Sequence, residues 1–279
     1  MAKYIGTYEN ETAIATAVNN NELNRPFVAL AEDTSRVYYG PELDLAVIGD
    51  ICVYDTTTQS LRFIHQSDYN TTTYPTATYE PIGVIVTDQT ASLDGCVSNV
   101  KILAKNWLDK SNPDTGNADK QKIEWGDTNV TTNAKSTTDG KANTATVLTF
   151  ATGQADWRTD ATISYSDGQR MYPLFECAWR YHTNGTAQGD WYVGAYNELN
   201  PMVSDATIGG VINSGFTAIG ASAYYSTGNI GSSYEYSGGS AYFYYNGNWS
   251  IGGGNFNKSW NNCFYSRALC EKSVLPINA

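Results

Sequence analysis

From Pro26 to Val86 short β-branched and aromatic runs alternate with turn residues: Phe27 to Leu30, Arg36 to Tyr39, Asp50 to Tyr54, Leu61 to Ile64 and Ile82 to Val86. Runs of this length and type predict strands. The polar stretch Asp55 to Ser60 sits between two alternating segments, so residues 50 to 64 are expected to form a hairpin. From Lys105 to Thr138 the apolar positions thin out and Asn112-Pro-Asp-Thr-Gly116 marks a turn. Two tryptophans in this stretch, Trp107 and Trp125, are too large and apolar for a solvated linker, which predicts that it packs on a neighbouring domain.

The period then changes. Residues 139 to 150 predict a short helix with Val147, Leu148 and Phe150 inward, and Arg170 to Tyr181 places Met171, Leu174, Phe175, Ala178 and Trp179 on one helical face. A third helical segment, Tyr196 to about Ile219, is expected to break near Pro201 and Gly209-Gly210. After Gly220 strand patterns return at 223 to 226, 241 to 245, 248 to 251 and 263 to 270, separated by Gly, Ser and Asn. The expected fold class is therefore α+β, with a β-rich module over 1–104, a connector over 105–138, and a domain over 139–279 built from two helices and a small antiparallel sheet.

Charge and composition narrow the function. A net charge of -11 and a pI near 4.5 oppose nucleic acid, which needs clustered Lys and Arg, and oppose adsorption to anionic lipid. No stretch is apolar enough to span a bilayer, so no membrane insertion is expected. The first 20 residues lack a basic start and apolar core, so no signal peptide is expected and the mature chain should begin near Met1. Cys52, Cys96, Cys177, Cys263 and Cys270 form an odd set without a CxxC pair, which suits thiols in a reducing compartment. With only His65 and His182 to supplement them, neither a zinc site nor any other cofactor is expected. The sequons at Asn129 and Asn248 follow from an Asn- and Thr-rich composition.

The most informative region lies between Asp205 and Arg267, where only Glu235 and Lys258 carry a formal charge while eight of the 21 tyrosines fall between Tyr224 and Tyr265. Tyr, Ser, Gly and Asn are the residues of binding surfaces: the phenol gives a wide amphipathic contact with few rotors, and the small polar residues adapt their hydrogen bonds. Trp249, Ile251, Trp260 and Leu269 are spaced as isolated apolar anchors, which distinguishes a folded surface from a low-complexity tract. The part of the chain from Trp191 onward thus reads as a recognition face.

Gly189-Asp-Trp-Tyr-Val-Gly-Ala-Tyr-Asn-Glu-Leu199 resembles the strand-into-helix signature of C-type lectin-like domains found as variable proteins of diversity-generating retroelements. In the same order Asp139-Gly-Lys-Ala-Asn-Thr144, Tyr224-Tyr-Ser-Thr227 and Tyr265-Ser-Arg-Ala268 are similar to the family's segments before the first helix, at a Trp-Ser-Ser-Thr-like strand and at the closing Arg-containing strand. Upstream, Tyr79 to Val86 resembles N-terminal modules of such proteins in gut Bacteroidales and their phages. The pattern departs at Gly194-Ala195, where a Pro-Ser pair usually opens the second helix; loss of that side-chain cap is expected to cost about 1 kcal/mol.

The resemblance implies a C-type lectin-like fold displaying residues diversified at adenine-rich codons, with Glu235, Trp249, Lys258 and Trp260 as fixed positions. The expected contact residues are Tyr224, Tyr225, Asn229, Ser232, Tyr234, Tyr236, Tyr242, Tyr244, Asn246, Asn248, Asn255, Asn257, Asn262, Phe264 and Tyr265. Along a strand every second side chain is inward, so Tyr242 and Tyr244 should share one side and Phe243 and Tyr245 the other. The implied partner is a protein or glycan receptor on a target cell, and the implied setting a phage tail fibre in the virion or, alternatively, a bacterial surface adhesin. Tail-fibre proteins are often trimeric, so a homotrimer is among the open assemblies although no heptad pattern enforces one.

Enzyme readings are weaker. Formylglycine-generating enzymes share a related lectin-like fold and use two cysteines near the C-terminus, which makes Cys263 and Cys270 the candidates for a thiol oxidase. A reactive thiol needs a cation, His or helix N-terminus to lower its pKa, and only Lys258 and Arg267 are near in sequence. Neither His65 nor His182 accompanies a GxSxG nucleophile pattern, Gly252-Gly-Gly254 lacks the Lys-Ser/Thr of a phosphate loop, and the stretch between Asp205 and Arg267 holds no Asp with which to build a calcium site.

Overall fold

The computed structural model describes residues 3–8, 13–14, 27–31, 36–40, 45–87, 100–126, 130–153, 172–224, 230–245, 248–251, 258 and 265–277. It is an α+β protein. Three strands stand first, β1 (Lys3–Tyr8), β2 (Phe27–Ala31) and β3 (Arg36–Gly40), with β1 parallel and β3 antiparallel to β2.

The central element is a seven-stranded sheet. Its strands are β4 (Ile51–Asp55), β5 (Ser60–Ile64), β6 (Tyr79–Ile85), β7 (Val100–Ala104), β8 (Trp191–Tyr192), β12 (Leu269–Lys272) and β13 (Leu275–Pro276), in the spatial order β13-β5-β4-β6-β7-β12-β8. The hairpin expected over 50 to 64 is present, with Ile51 opposite Ile64 and Asp55 opposite Ser60. Its turn is held by the Asp55 carboxylate, which accepts from the Thr57 amide at 2.8 Å and the Thr58 hydroxyl at 2.7 Å.

The boundary expected at residue 104 runs through this sheet. β7, from the first part of the chain, pairs with β12 from the last, Leu103 opposite Leu269, and β13 closes on β5. The reason lies in burial. β4 to β7 are apolar on both faces, a pattern that requires cover on both sides and cannot be completed by residues 1–104 alone.

Four helices supply that cover: α1 (Gly140–Thr152), α2 (Pro173–Arg180), α3 (Tyr196–Ser204) and α4 (Ala206–Ala218). One core holds Val147 and Ala151 of α1 and Leu174, Phe175 and Ala178 of α2 against Cys52, Phe63, Ile82, Ile102 and Cys270. The other holds Leu199, Met202 and Val203 of α3 and Ile212 and Phe216 of α4 against Ile51, Val53, Val84, Leu103 and Leu269. A register shift between Cys52 and Val53 in the β4–β6 pairing changes the phase of β6, so Ile82 and Ile85 both reach the first core while Val84 faces the second. Among the described residues no helix is long and apolar enough to cross a membrane.

The third helical segment divides elsewhere than expected. Pro201 and Gly209-Gly210 lie inside helices, and the break is at Asp205, whose carboxylate caps α4 by accepting from the amides of Thr207 at 2.8 Å and Ile208 at 3.1 Å. Residues 105–126 and 130–138 are folded onto the body: Trp107 and Trp125 are fully buried.

At Ala195 the missing cap is replaced from within the helix. Glu198 reaches back to accept from the Ala195 amide at 2.8 Å, and the same oxygen accepts from the Gly140 amide at 2.8 Å, so one carboxylate closes the starts of α1 and α3. Its other oxygen takes the ammonium of Lys101 and the Tyr192 hydroxyl. Asp139, Gly140 and the residues after it, expected before the first helix, form its cap and first turns, with Asp139 accepting from the Ala142 amide at 2.8 Å.

Candidate functional site

A second three-stranded sheet carries the tyrosine-rich region: β9 (Ile230–Ser237), β10 (Ser240–Tyr245) and β11 (Asn248–Ile251), antiparallel in the order β11-β10-β9. β9 carries no strand pattern, because Ile230-Gly-Ser-Ser-Tyr-Glu-Tyr-Ser237 lacks hydrophobic alternation. It is buried through small side chains instead. Ser232 donates to the Tyr242 carbonyl at 2.8 Å, and Ser233 accepts from the Asn143 amide group of α1 at 3.0 Å.

Alternation along β9 and β10 separates two sets of side chains. Glu235, Ala241 and Phe243 point inward and are buried. Tyr234 and Tyr242 are half-buried and Tyr236 is 50% exposed. Tyr242 lies at the centre of the outward set: its ring is 5.3 Å from Tyr234 and 6.1 Å from Tyr236, and 5.3 Å from Tyr196 in the first turn of α3. The Tyr234 and Tyr196 contacts are edge-to-face, the geometry that the ring quadrupole favours. Partial burial raises the Tyr242 pKa, with the neighbouring phenols of Tyr196, Tyr234 and Tyr236 adding to it, so this phenol is neutral at physiological pH. The Lys135 ammonium borders it, donating to the carbonyls of Glu235 at 2.7 Å and Tyr236 at 2.8 Å.

The expected contact residues therefore part company. Tyr234, Tyr236 and Tyr242 come together on one outward face. Tyr224, Ser232 and Tyr244 are corrections: all three are buried and cannot serve as surface contacts. Tyr224 stacks on Trp107 at 5.7 Å, and Tyr244 belongs to the core beneath α3 and α4. Tyr244 consequently does not share the outer face with Tyr242. Tyr265 is half-buried against Trp107, at a ring distance of 6.4 Å, apart from the Tyr242 cluster. Asn248 pairs with Tyr245 at the start of β11. Tyr225, Asn229, Asn246, Asn255, Asn257, Asn262 and Phe264 lie outside the described residues, as do Trp260 and Cys263.

Tyr196 was not among the expected contacts. It stands in the strand-into-helix segment, outside the Tyr-rich run, and only the packing of α3 against β10 brings it to the cluster. The strand expected at 223 to 226 is not formed at its described end, since Ala223 and Tyr224 lie outside any strand; Ser266 to Ala268 likewise precede β12 as irregular chain.

Beneath Tyr224 sits Arg267, fully buried, its guanidinium between the rings of Trp107 at 4.4 Å and Phe216 at 4.2 Å. It donates to the carbonyls of Ala104 at 2.9 Å and Ser222 at 2.7 Å. Burial pulls its pKa down to about 9, against the opposing influence of the Tyr181 and Tyr224 phenols, so it stays charged at neutral pH and is held by ring faces and carbonyls. This is a scaffold role.

The thiol chemistry is poorly supported by the surroundings of Cys270. Its side chain is buried on β12, and desolvation pushes its pKa up to about 12, opposite to what a nucleophilic cysteine requires. Among the described residues no group of three or more His, Cys, Asp or Glu side chains is arranged to hold a metal ion. No known family model matches this chain, and neither does any curated protein or solved structure.

Proposed function

We propose that this chain is a binding protein that displays a phenol-rich face to a receptor, a protein or glycan on a target cell, in the manner of a phage tail-fibre or receptor-binding component. The observation that carries this reading is the cluster of Tyr196, Tyr234, Tyr236 and Tyr242: four aromatic rings, none fully buried, gathered from α3, β9 and β10 onto one side of a hairpin whose opposite side is sealed. Tyrosines so placed lose little side-chain entropy on contact and present both an apolar face and a hydroxyl. The wider reading, a C-type lectin-like scaffold serving a diversity-generating retroelement, rests on the ordered sequence segments, among which the passage from Trp191 to Leu199 runs from strand into helix.

The test compares the full chain with a Tyr196→Ser, Tyr234→Ser, Tyr236→Ser, Tyr242→Ser variant on an array of bacterial and host glycans and on a panel of intact bacterial cells. The wild-type chain is expected to label at least one glycan or strain, and the variant to lose that label while keeping its far-UV spectrum. Equal labelling by both, or none by the wild type across the panel, overturns the reading. A neighbouring reverse transcriptase gene beside a near-copy of the codons for residues 222 to 265, differing at adenines, tests the retroelement assignment separately.

A further inference from the structure

The strand β9 is rich in Gly and Ser, and its pairing with β10 shifts register twice, between Ser240 and Ala241 and between Ala241 and Phe243. A ladder with such irregularities specifies the facing of its side chains weakly, since a slip of one residue exchanges the two faces. In β9 that exchange would turn Tyr234 and Tyr236 inward and Glu235 outward. Something must therefore fix the phase.

Glu235, the residue between the two outward tyrosines, is fully buried and saturated with donors. Its carboxylate accepts from the amides of Thr132 at 2.9 Å and Asn133 at 2.9 Å, and pairs with the ammonium of Lys258, itself fully buried. Lys258 also donates to the Val130 carbonyl at 2.9 Å and lies over the ring of Trp125 at 4.5 Å. Main-chain bonds complete the attachment: the Glu235 amide to the Ala134 carbonyl at 2.8 Å, the Lys258 amide to the Gly239 carbonyl at 3.2 Å, and the Gly126 amide to the Lys258 carbonyl at 3.1 Å. The Trp125 indole donates to the Ser232 carbonyl at 2.8 Å. Trp125 and Gly126 on one side and residues 130 to 135 on the other thus hold β9, with the Glu235 carboxylate at the centre of the attachment.

We propose that Glu235 and Lys258 are a positioning pair that sets the phase of the β9–β10 hairpin, so that the phenols on either side of Glu235 stay outward. A buried carboxylate satisfied in only one facing is a stronger arbiter of register than small side chains that tolerate both, because the slipped state would leave Lys258 buried without its counter-charge. The consequence for the proposed binding face, on whose reading this inference draws, is that the outer tyrosines can be replaced freely while this pair cannot.

The test is site-resolved amide hydrogen exchange on the full chain and on Glu235→Gln, Lys258→Met and the double variant. Each single change is expected to speed exchange across residues 230 to 245 by about 100-fold or more, the scale set by breaking one partner of a buried pair, while β4 and β6 change less than 3-fold, within the scale of distant uncoupled sites. The double variant, which leaves no unpaired charge, should recover about 10-fold of that loss, in keeping with buried pairs replaced as a unit. Equal acceleration in the hairpin and the central sheet, or none in the hairpin, overturns the proposal.

If the single variants do not fold, the wild-type chain still decides. The amides of Thr132 and Asn133 must then open together with those of β9 under mild denaturant; independent opening overturns the proposal. Binding is not read in either experiment, so a chain with an anchored hairpin that binds nothing would defeat the functional reading and leave this one standing.

Discussion

Replacing glycine by alanine at two positions of α4 should change stability in opposite directions. Both Gly210 and Gly215 lie inside the helix, where alanine is intrinsically favoured by about 1 kcal/mol. At Gly210 a methyl group would meet nothing within 4 Å, so Gly210→Ala is expected to realise that gain, raising Tm by about 2–4 °C for a chain of this size. At Gly215 the helix closes on the sheet: the added carbon would stand 2.7 Å from the Gly49 carbonyl oxygen and 2.9 Å from a Val84 methyl. Neither can simply rotate away, because Gly49 occupies a left-handed conformation at φ +99° and Val84 is enclosed in the second core. Overpacking of this kind costs about 1–3 kcal/mol. Against the helix gain, Gly215→Ala should lose up to about 2 kcal/mol net, with Tm falling by up to about 8 °C. Differential scanning calorimetry of the two variants reads the contrast. Shifts of the same sign in both would refute the docking of α4 on β6 described above.

Three further outcomes follow from the same geometry. Glu198→Ala strips the acceptor from two helix starts and leaves Lys101 with Glu271 alone at 3.4 Å, so urea denaturation should show a loss of about 3–5 kcal/mol; a loss under 1 kcal/mol would contradict the shared cap. Tyr224→Phe removes a buried hydroxyl that has no hydrogen-bond partner among the described residues and should be neutral or stabilising by up to about 1 kcal/mol, where a clear loss on thermal unfolding would reveal a contact to that oxygen. Burial raises the Asp109 pKa, but donors from Asn112, Ser111 and Asn117 and the charge of Lys110 outweigh it and hold the carboxyl below its usual value. A depressed acid contributes stability above the unfolded value of about 3.9 and loses it as pH falls through the folded one. Asp109→Asn should therefore be less stable at pH 7 yet fall less steeply below about pH 4, whereas parallel urea midpoints across that range would contradict the assignment.

Much of the scaffold is legible in the sequence because its signals are local. The alternating runs at 51 to 55 and 60 to 64 with a polar turn, and the apolar stripe from Leu174 to Ala178, have no better alternative than the hairpin and helix they form. What escapes is non-local. Pairing of β7 with β12 joins residues more than 160 positions apart, and nothing in either strand names its partner; the apparent domain boundary arose from reading a two-faced sheet one segment at a time. β9 escapes because its burial uses serine and a paired glutamate, residues that pattern reading assigns to the surface.

The candidate site shows the same division. A strand's two-residue period correctly groups Tyr234 with Tyr236, but which tyrosines are wet depends on the register shifts of β10 and on α3, which contributes Tyr196. Tyr224 and Tyr244 look identical to their neighbours in composition and differ only in having Trp107 or the second core beside them.

The most direct test of the outward phenol face is tyrosine nitration of the native full chain, with modified positions read by mass spectrometry at low extents of reaction. Tyr236 should react first, Tyr234, Tyr196 and Tyr242 more slowly, and Tyr224 and Tyr244 last. Early nitration of Tyr224 or Tyr244 with Tyr236 and Tyr234 protected would show the hairpin facing the other way and contradict the account.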